Sequence, residues 1–314
     1  MVAYIPLNEP IPIKDQKWPE GTLPLVTTRT MTFNHKAFIV QCIEGIINQK
    51  TTFPVQVLIH DDASNDGTIE LIKQYEKENP RLIKSIIQPV NTFKLSNRYE
   101  LRKPFFNLIQ GKYVATCEGD DFWSDENKLE KQVQYLESNN ACIAVSNYTY
   151  ILNEKGELHK EPPPKNHRIY FRDILLGRKG QTRTVALISR SKALDIESFS
   201  NLGQFKNGDR KLKLVLIKNG GYIQVLPFYG AVYRHHVGGI WALASREKKR
   251  GDVQRDYIET HRNFSISLGL KCRYVVYHLM KTIKGDLRYG RFKFIWQTIT
   301  ALFILPQKVV GVEK

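Results

Sequence analysis

The chain has 314 residues, of which 42% are hydrophobic and 25% are charged. These proportions are typical of a packed soluble protein and exclude wholesale disorder. Lys and Arg total 47 against 31 Asp and Glu, and the resulting formal charge of +16 favours phosphate-bearing ligands, nucleic acid or an anionic membrane as partners.

The first 24 residues contain five prolines and lack the charged start and apolar run of a signal peptide. We therefore predict an extended arm over residues 1–24. No run of eighteen apolar residues occurs, which predicts no transmembrane helix. The four cysteines lie far apart without a C-x-x-C pair, so we expect reduced thiols in a cytosolic protein and no structural zinc site.

From residue 25 onward, short β-branched runs alternate with amphipathic stretches, a pattern typical of βαβ units around a mostly parallel sheet. The predicted fold class is therefore α/β. The predicted strands are 25–32, 55–59, 82–87, 112–117, 141–152, 182–189 and 222–228. Predicted helices cover 36–48 and 69–78 and begin again at 125 and 208, and the pattern beyond residue 241 is helical.

Acidic pairs follow two of these strands. Asp61 and Asp62 follow the second strand, and Asp120 and Asp121 follow the fourth. Because loops at the carboxyl ends of parallel strands converge, we expect both pairs at the edge of the sheet where ligands bind. A divalent ion between the carboxylates and an anionic ligand such as a diphosphate would suit this arrangement. Either pair alone is equally typical of a turn or a helix cap.

Several ordered segments of the chain resemble those of the family 2 glycosyltransferases, most closely those of its bacterial capsule and lipopolysaccharide branch. The segments are TFNH at 32–35, DDASNDGT at 61–68, CEGDDFW at 117–123, NGD at 207–209 and YRHHVGGIW at 233–241. The resemblance implies a catalytic domain of the GT-A fold over 25–241, followed by a basic helical region over 242–314. It also implies a nucleotide-sugar donor, favoured as UDP-linked, and Mn²⁺ or Mg²⁺.

The resemblance assigns a role to each matching residue. Those implied to bind the nucleotide are Thr32, Asn34, Asp62 and Asp120, those implied to bind the metal are Asp121 and His236, and the implied catalytic base is Asp209. Within these roles, Asp62 would accept the N–H of uracil and Asp120 would lie beside the ribose. An imidazole with carboxylate and phosphate oxygens suits the implied ions.

A carboxylate at position 209 would accept the proton of an acceptor hydroxyl as that hydroxyl attacks the anomeric carbon, which inverts its configuration. The alternative interpretation of Asp209 is a cap or first-turn anion of the helix that begins at 208.

The chain departs from the family pattern in three places. Met31 stands where many members have proline, and the stretch 91–102 leaves open which of Lys94, Arg98 and Arg102, if any, contacts the nucleotide. The Gln-x-x-Arg-Trp motif of processive synthases is absent, so we expect one sugar to be added per encounter.

Residues 246–314 hold 15 Lys and Arg against 6 Asp and Glu, more than half of the net charge. Apolar residues on one helical face of 286–305, with basic residues at its start, favour a helix that lies on an anionic membrane. The alternative is that this face packs on the catalytic domain or forms a dimer. We expect a cytoplasmic protein, peripheral at the inner face of the bacterial plasma membrane.

The leading functional prediction is an inverting, metal-dependent glycosyltransferase that adds a sugar to a growing capsule or lipopolysaccharide glycan, free or lipid-linked. A nucleotidyltransferase is disfavoured because residues 28–35 contain no glycine. A basic nucleic-acid-binding protein remains an alternative from the charge, although the acidic pairs would repel a phosphate backbone, so we expect no nucleic-acid partner. A catalytically silent scaffold is the other alternative, and the oligomeric state stays open.

Overall fold

The computed structural model describes residues 3–95, 97–160, 164–177, 182–201, 205–239, 245–264 and 267–287. The strands are β1 (Ile11–Pro12), β2 (Val26–Thr32), β3 (Lys50–Thr51), β4 (Val55–Asp61), β5 (Ile83–Ile87), β6 (Tyr113–Thr116), β7 (Phe122–Trp123), β8 (Cys142–Leu152), β9 (Leu158–Lys160), β10 (His167–Ile169), β11 (Ile188–Arg190) and β12 (Tyr222–Arg234). The helices are α1 (Ile39–Ile47), α2 (Thr68–Glu78), α3 (Arg98–Phe106), α4 (Lys128–Ser138), α5 (Phe171–Leu175), α6 (Ile196–Asn201), α7 (Gly208–Leu216), α8 (Arg246–Asn263) and α9 (Leu268–Leu287).

In the described part of the chain, one ten-stranded sheet has the order β10-β12-β8-β11-β6-β2-β4-β5, with β7 paired to β12 and β9 paired to β8. β6, β2, β4 and β5 are parallel to their neighbours within this group, whereas β11 is antiparallel to both β6 and β8. The predicted α/β class is confirmed. The parallel strands bring their carboxyl ends to one edge of the sheet, as expected.

The core lies where helices cover the parallel strands. β4 is buried at nearly every position, which is typical of a strand covered on both faces. On α4, Leu129, Val133 and Leu136 are buried, which confirms the apolar stripe that their spacing predicts. Removal of each such side chain from water stabilises the fold by roughly 1.5–3 kcal/mol.

The predicted strand over 182–189 is shorter in the structure. Thr184–Ala186 forms a 3-10 turn, and only Ile188–Arg190 pairs as β11. The carbonyl oxygens of Val185 and Ala186 instead accept hydrogen bonds from the side chains of Trp123 (2.8 Å) and Gln132 (2.8 Å). These side chains satisfy backbone groups that would otherwise need a neighbouring strand.

β12 extends six residues beyond its predicted end at 228. Its later residues have a partner that is distant in sequence, because Ala231 pairs with Trp123 and Val232 with Phe122 of β7. The final motif therefore begins on a strand rather than in a loop.

The described residues divide into two compact units. The first draws on Met1–Arg168, Thr182–Leu194 and Ile223–Val237 and contains almost the whole sheet, and the second draws on Ile169–Gln181, Asp195–Tyr222 and Gly238–Lys314. Within the second unit, Leu212, Val215 and Leu216 of α7 are buried, as their spacing predicts. The predicted domain boundaries at residues 24 and 241 remain predictions.

All four cysteines are free thiols. Across the described ranges, every helix is either too short or too polar to cross a membrane. Residues 288–305 of the predicted membrane-binding helix, together with Ile240 and Trp241 of the final motif, lie outside the described residues.

Candidate functional site

The first unit gathers the predicted nucleotide and metal residues at the carboxyl ends of β2, β4, β6 and β12. Thr32 lies opposite Asp61 in the register of β2 and β4. The backbone N–H of Asp62 donates to the carbonyl of Thr32 (3.0 Å), and that of Gly119 donates to Met31 (2.9 Å). The expectation that both acidic pairs lie at one edge is confirmed.

Three side chains at this edge are close enough to share one ion. His35, Asp120 and His236 each offer a ligand atom, and these atoms lie within 4.8 Å of one another. An Asp120 carboxylate oxygen (Oδ2) is 3.0 Å from Nε2 of His236 and 3.9 Å from Nε2 of His35. Burial lowers the pKa of His35, although the charge of Asp120 opposes this. A neutral imidazole is the form that binds a metal, so the set fits a divalent ion such as Mn²⁺.

Glycine at position 119 lets the acidic loop approach the end of β2. A Cβ atom there would lie 2.6 Å from Cβ and Oγ1 of Thr32 and 3.0 Å from Nδ1 of His35. Oγ1 of Thr32 is itself 3.2 Å from Nδ1 of His35. Gly119 and Thr32 together therefore set the position of the His35 ring beside Asp120.

Asp121 is not part of this group of three. Its side chain is buried, and Oδ1 accepts the backbone N–H of Arg234 (2.8 Å). Burial raises the pKa of Asp121 well above its usual range, and the charge of Asp120 adds to this effect. The carboxylate ties the acidic loop to the end of β12, and its role as a metal ligand remains a prediction.

Arg234 is a residue of the site to which the sequence analysis assigned no role. Its Nε donates to the carbonyl of Asp120 (3.1 Å), and its Nη2 donates to the side chain of Gln41 (2.6 Å). The guanidinium also lies over the rings of Phe38 (4.7 Å) and Phe122 (5.2 Å). These contacts fasten β12 to the acidic loop just before His236.

Asp62 is almost fully buried and forms an ion pair with Arg102. Its Oδ2 accepts from Nη2 of Arg102 (2.9 Å), and its Oδ1 accepts from the backbone N–H (3.0 Å) and hydroxyl (2.5 Å) of Thr92. Of the three cations considered in the sequence analysis, the structure therefore places Arg102 at Asp62. A carboxylate oxygen can accept two hydrogen bonds, so Oδ2 retains capacity for a further donor such as a uracil N–H.

The loops after β2 and β4 are linked by hydrogen bonds on both sides. The backbone N–H of Asn34 donates to Oγ of Ser64 (2.8 Å), and the side-chain oxygen of Asn34 accepts from the N–H of Asn65 (2.9 Å). Asn34 (φ 54°) and Ala63 (φ 67°) both adopt left-handed backbone conformations. Asparagine tolerates this region, whereas alanine pays about 1–2 kcal/mol for it. The linked loops hold the backbone on either side of His35.

Asp209 lies in the second unit, in the first turn of α7. The helix is capped by Asn207, whose side-chain oxygen accepts the N–H of Arg210 (2.9 Å). The interpretation of Asp209 as the cap is therefore wrong, because Asn207 performs that task. A first-turn anion and a catalytic base remain as its possible roles.

Comparison with known proteins identifies the family. The family described as Glycosyl transferase family 2 matches residues 30–196, which is over half of the chain. The chain belongs to glycosyltransferase family 2. An uncharacterized protein of Mycobacterium tuberculosis is 33% identical over 223 residues, covering 70% of this chain and 62% of that protein. A Bacillus subtilis glycosyltransferase, TuaG, whose name assigns it provisionally to teichuronic acid biosynthesis, is 28% identical over 44% of this chain and 52% of its own length.

Solved structures of the same fold include S. aureus TarS in complex with UDP-GlcNAc. It superposes with a TM-score of 0.64 at 14% identity, over 88% of this chain and 81% of the TarS 1–349 chain. The likeness shows the GT-A fold. The chain spans only about three fifths of the length of its mycobacterial relatives. Family membership supports glycosyl transfer from a nucleotide sugar.

Proposed function

We propose that the chain is an inverting, metal-dependent glycosyltransferase that transfers a sugar from a UDP-linked donor to a hydroxyl group of a growing capsule or lipopolysaccharide glycan. One observation carries the proposal: His35, Asp120 and His236 converge at the strand edge that also holds the Asp62–Arg102 pair. TarS, which shares the fold, binds UDP-GlcNAc, and TuaG carries a name from bacterial surface-glycan synthesis.

In this proposal the donor side belongs to the first unit. His35, Asp120 and His236 would hold the divalent ion, which when bound offsets negative charge on the departing diphosphate. Asp62, which pairs with Arg102, would accept the uracil N–H through Oδ2. Thr32 and Asn34 would form part of the nucleotide-binding surface, because they position the loops that follow β2 and β4.

The acceptor side of the proposal rests on Asp209. Its carboxylate is half-buried rather than sequestered, so it can meet a hydroxyl group that approaches from solvent. As that hydroxyl attacks the anomeric carbon from the face opposite the diphosphate, Asp209 accepts its proton. One sugar is transferred per encounter. Peripheral association with the cytoplasmic face of the membrane, through residues 286–305, is part of the same proposal.

Calorimetry with nucleotides and metal tests the donor side. We expect UDP and UDP-sugars to bind in the presence of Mn²⁺, more weakly with chelator, and in preference to GDP, dTDP and CMP. Asp120→Asn should lose the metal dependence, whereas Glu126→Gln, which removes an exposed carboxylate paired with Lys50 (2.7 Å), should retain it. Metal-independent binding in the wild type would refute the proposed metal role.

Asp121→Asn separates the two descriptions of the metal site. The asparagine oxygen can still accept the N–H of Arg234, so the loop stays tied to β12. If His35, Asp120 and His236 are the ligands, Mn²⁺ affinity should survive this substitution. If Asp121 is a ligand, as the family resemblance implies, Mn²⁺ affinity should fall as it does in Asp120→Asn.

A further inference from the structure

A buried carboxylate in the second unit holds the segment that leads into α7. Asp256, on α8, is only 1% exposed. Its Oδ1 accepts the backbone N–H of Lys206 (2.6 Å), and its Oδ2 accepts that of Asn207 (2.8 Å). Both oxygens of one side chain thus bind two consecutive backbone donors that lie about fifty residues earlier in the chain.

The segment held in this way sets the start of α7. Asn207, whose N–H binds Asp256, is the residue whose side chain caps the helix through the N–H of Arg210. Its carbonyl also accepts the N–H of Lys211 (3.1 Å), the first backbone bond of the helix. Asp209 is the second residue of that helix. The position of its carboxylate therefore depends on a chain of contacts that begins at Asp256.

The hydrogen bonds between the Asp256 carboxylate and the two backbone N–H groups are charge-assisted and shielded from water. Burial raises the pKa of Asp256, while the two backbone N–H groups and the nearby charge of Arg210 oppose this. Hydrogen bonds from backbone N–H groups to an ionised carboxylate are roughly twice as strong as neutral ones. If these donors moved away, the buried carboxylate would be left without hydrogen-bond partners, which costs free energy. The contact should therefore hold the segment more firmly than a contact at the surface would.

We propose that Asp256 is the positioning residue for Asp209: it fixes the Lys206–Asn207 backbone so that the first turn of α7 presents the Asp209 carboxylate in one place. This inference rests on the proposed function, in which Asp209 is the base. A displacement of about 1 Å at a reacting group can cost on the order of 100-fold in rate. Loss of Asp256 should therefore impair turnover although Asp256 itself does not touch the substrate.

Amide hydrogen exchange tests the positioning step without any substrate. In Asp256→Asn, one of the two N–H acceptors is lost, and we expect faster exchange over residues 206–211 than in the wild type. Asp195→Asn is the matched control. Asp195 is also a carboxylate of the second unit, and it accepts from Nζ of Lys218 (2.7 Å), beyond the other end of α7. It should leave exchange at 206–211 unchanged.

Turnover tests whether the positioning acts through Asp209. The readout is UDP release from UDP-glucose, UDP-galactose and UDP-N-acetylglucosamine with Mn²⁺ and with water as the acceptor. We expect Asp256→Asn to lower kcat about 10- to 100-fold with little change in the donor KM, and Asp195→Asn to retain kcat. In the Asp209→Asn background, Asp256→Asn should cost nothing more, because its effect passes through the missing carboxylate.

The exchange and turnover experiments together test the positioning role of Asp256. Additive losses in the double variant, or unchanged exchange at 206–211 in Asp256→Asn, would overturn the positioning role. Full turnover in Asp209→Asn would instead refute the proposed base, and Asp256 would then be a structural tie only. If no UDP-sugar releases UDP to water in the wild type, the calorimetry judges the proposed donor and the exchange experiment judges the contact. If Asp256→Asn does not fold, Asp256→Glu replaces it in both assays.

Discussion

The two units of the chain present their candidate residues in different ways. In the first unit, the residues stand at the ends of β2, β4, β6 and β12, and backbone register brings the parallel strand ends to one edge. In the second unit, Asp209 stands on the first turn of a helix that is held by a side-chain cap and by a buried carboxylate from α8. The first arrangement is a property of the sheet, whereas the second depends on a few side chains.

This difference predicts which property, stability or activity, a substitution in each unit should change. A residue at a strand end, such as Asp62, takes part in buried pairs, so its loss should affect stability and ligand binding together. A half-buried residue in the first turn of a capped helix, such as Asp209, should affect the reaction alone. The comparison would be contradicted by a strand-end variant that changes ligand binding without changing stability. It would also be contradicted by a variant of Asp209 that changes stability as much as activity.

The largest expected effect is that of Asp209→Asn. Loss of a general base should lower kcat by about 10²–10⁴-fold, while the melting temperature should stay close to that of the wild type because Asn207 provides the cap. Steady-state kinetics and thermal unfolding of the same preparation check this. Asn207→Ala should show the structural cost that Asp209→Asn lacks, about 0.5–2 kcal/mol. A large fall in stability of Asp209→Asn would show that its carboxylate supports the helix.

Asp62→Ala should combine loss of stability with loss of nucleotide binding. The substitution leaves the guanidinium of Arg102, which is only 13% exposed, without its ion-pair partner and leaves the N–H of Thr92 without its acceptor. Removal of one partner of a buried ion pair costs about 3–5 kcal/mol in the free energy of unfolding. Urea unfolding of Asp62→Ala and of the double variant Asp62→Ala/Arg102→Met checks this. The double variant should be the more stable of the two, and equal stability would mean that the pair is not buried in solution.

Much of the first unit could be predicted from the sequence because it depends on local patterns. Alternating β-branched runs predict parallel strands, and parallel strands bring Asp62 and Asp120 to one edge whatever their distance in the chain. Lys94, Arg98 and Arg102 were all candidates for contact with the nucleotide, and the pairing of Arg102 with Asp62 was not predicted. His35 lay within a recognised motif, but its approach to Asp120 depends on the close packing at Gly119.

The contacts of the second unit could not be predicted from a comparable pattern in the sequence. Asp256 lies in a helix whose sequence, REKKRGDVQRDYIETHRN, is predominantly polar, so nothing in the pattern marks one carboxylate as buried. Its partners are backbone N–H groups, which every residue except proline carries. Such a contact is visible only after the chain is folded, which is why Asp209 was found by its motif and Asp256 by its geometry.

A smaller effect on the first unit concerns pH. His60 is fully buried beside the ring of Phe105 (5.2 Å), and burial lowers its pKa from 6.5 to about 4, with the charge of Arg102 adding to this. The unfolded chain therefore binds a proton that the folded chain does not, so this contribution to stability is complete above pH 6.5 and is lost as the pH falls toward 4. At pH 5.5 the loss should be about 1 kcal/mol.

His60→Gln tests this assignment, because glutamine can still contact Gln88 but does not titrate in this range. We expect the difference in unfolding free energy between pH 7 and pH 5.5 to be smaller in His60→Gln than in the wild type by about 1 kcal/mol. An equal difference in both proteins would assign the acid sensitivity to other groups.

The smallest expected effect is a gain of stability in the second unit. A Cβ added at Gly208 meets nothing within 4 Å, and the glycine does not adopt a left-handed conformation. Gly208→Ala should therefore raise the free energy of unfolding by about 0.4–1 kcal/mol through the unfolded chain. Gly251 of α8 has equally open surroundings, so Gly251→Ala should be stabilising as well and serves as the matched control.

Turnover of these two glycine variants then tests whether the start of α7 meets the acceptor. If an acceptor that reaches Asp209 also contacts position 208, the added methyl group should raise the acceptor KM in Gly208→Ala but not in Gly251→Ala. Kinetics with a saturating donor and a varied acceptor measure this. Identical acceptor KM values in the two variants, with both stabilised, would place the path of the acceptor away from the start of α7 and would weaken the assignment of Asp209 as the base.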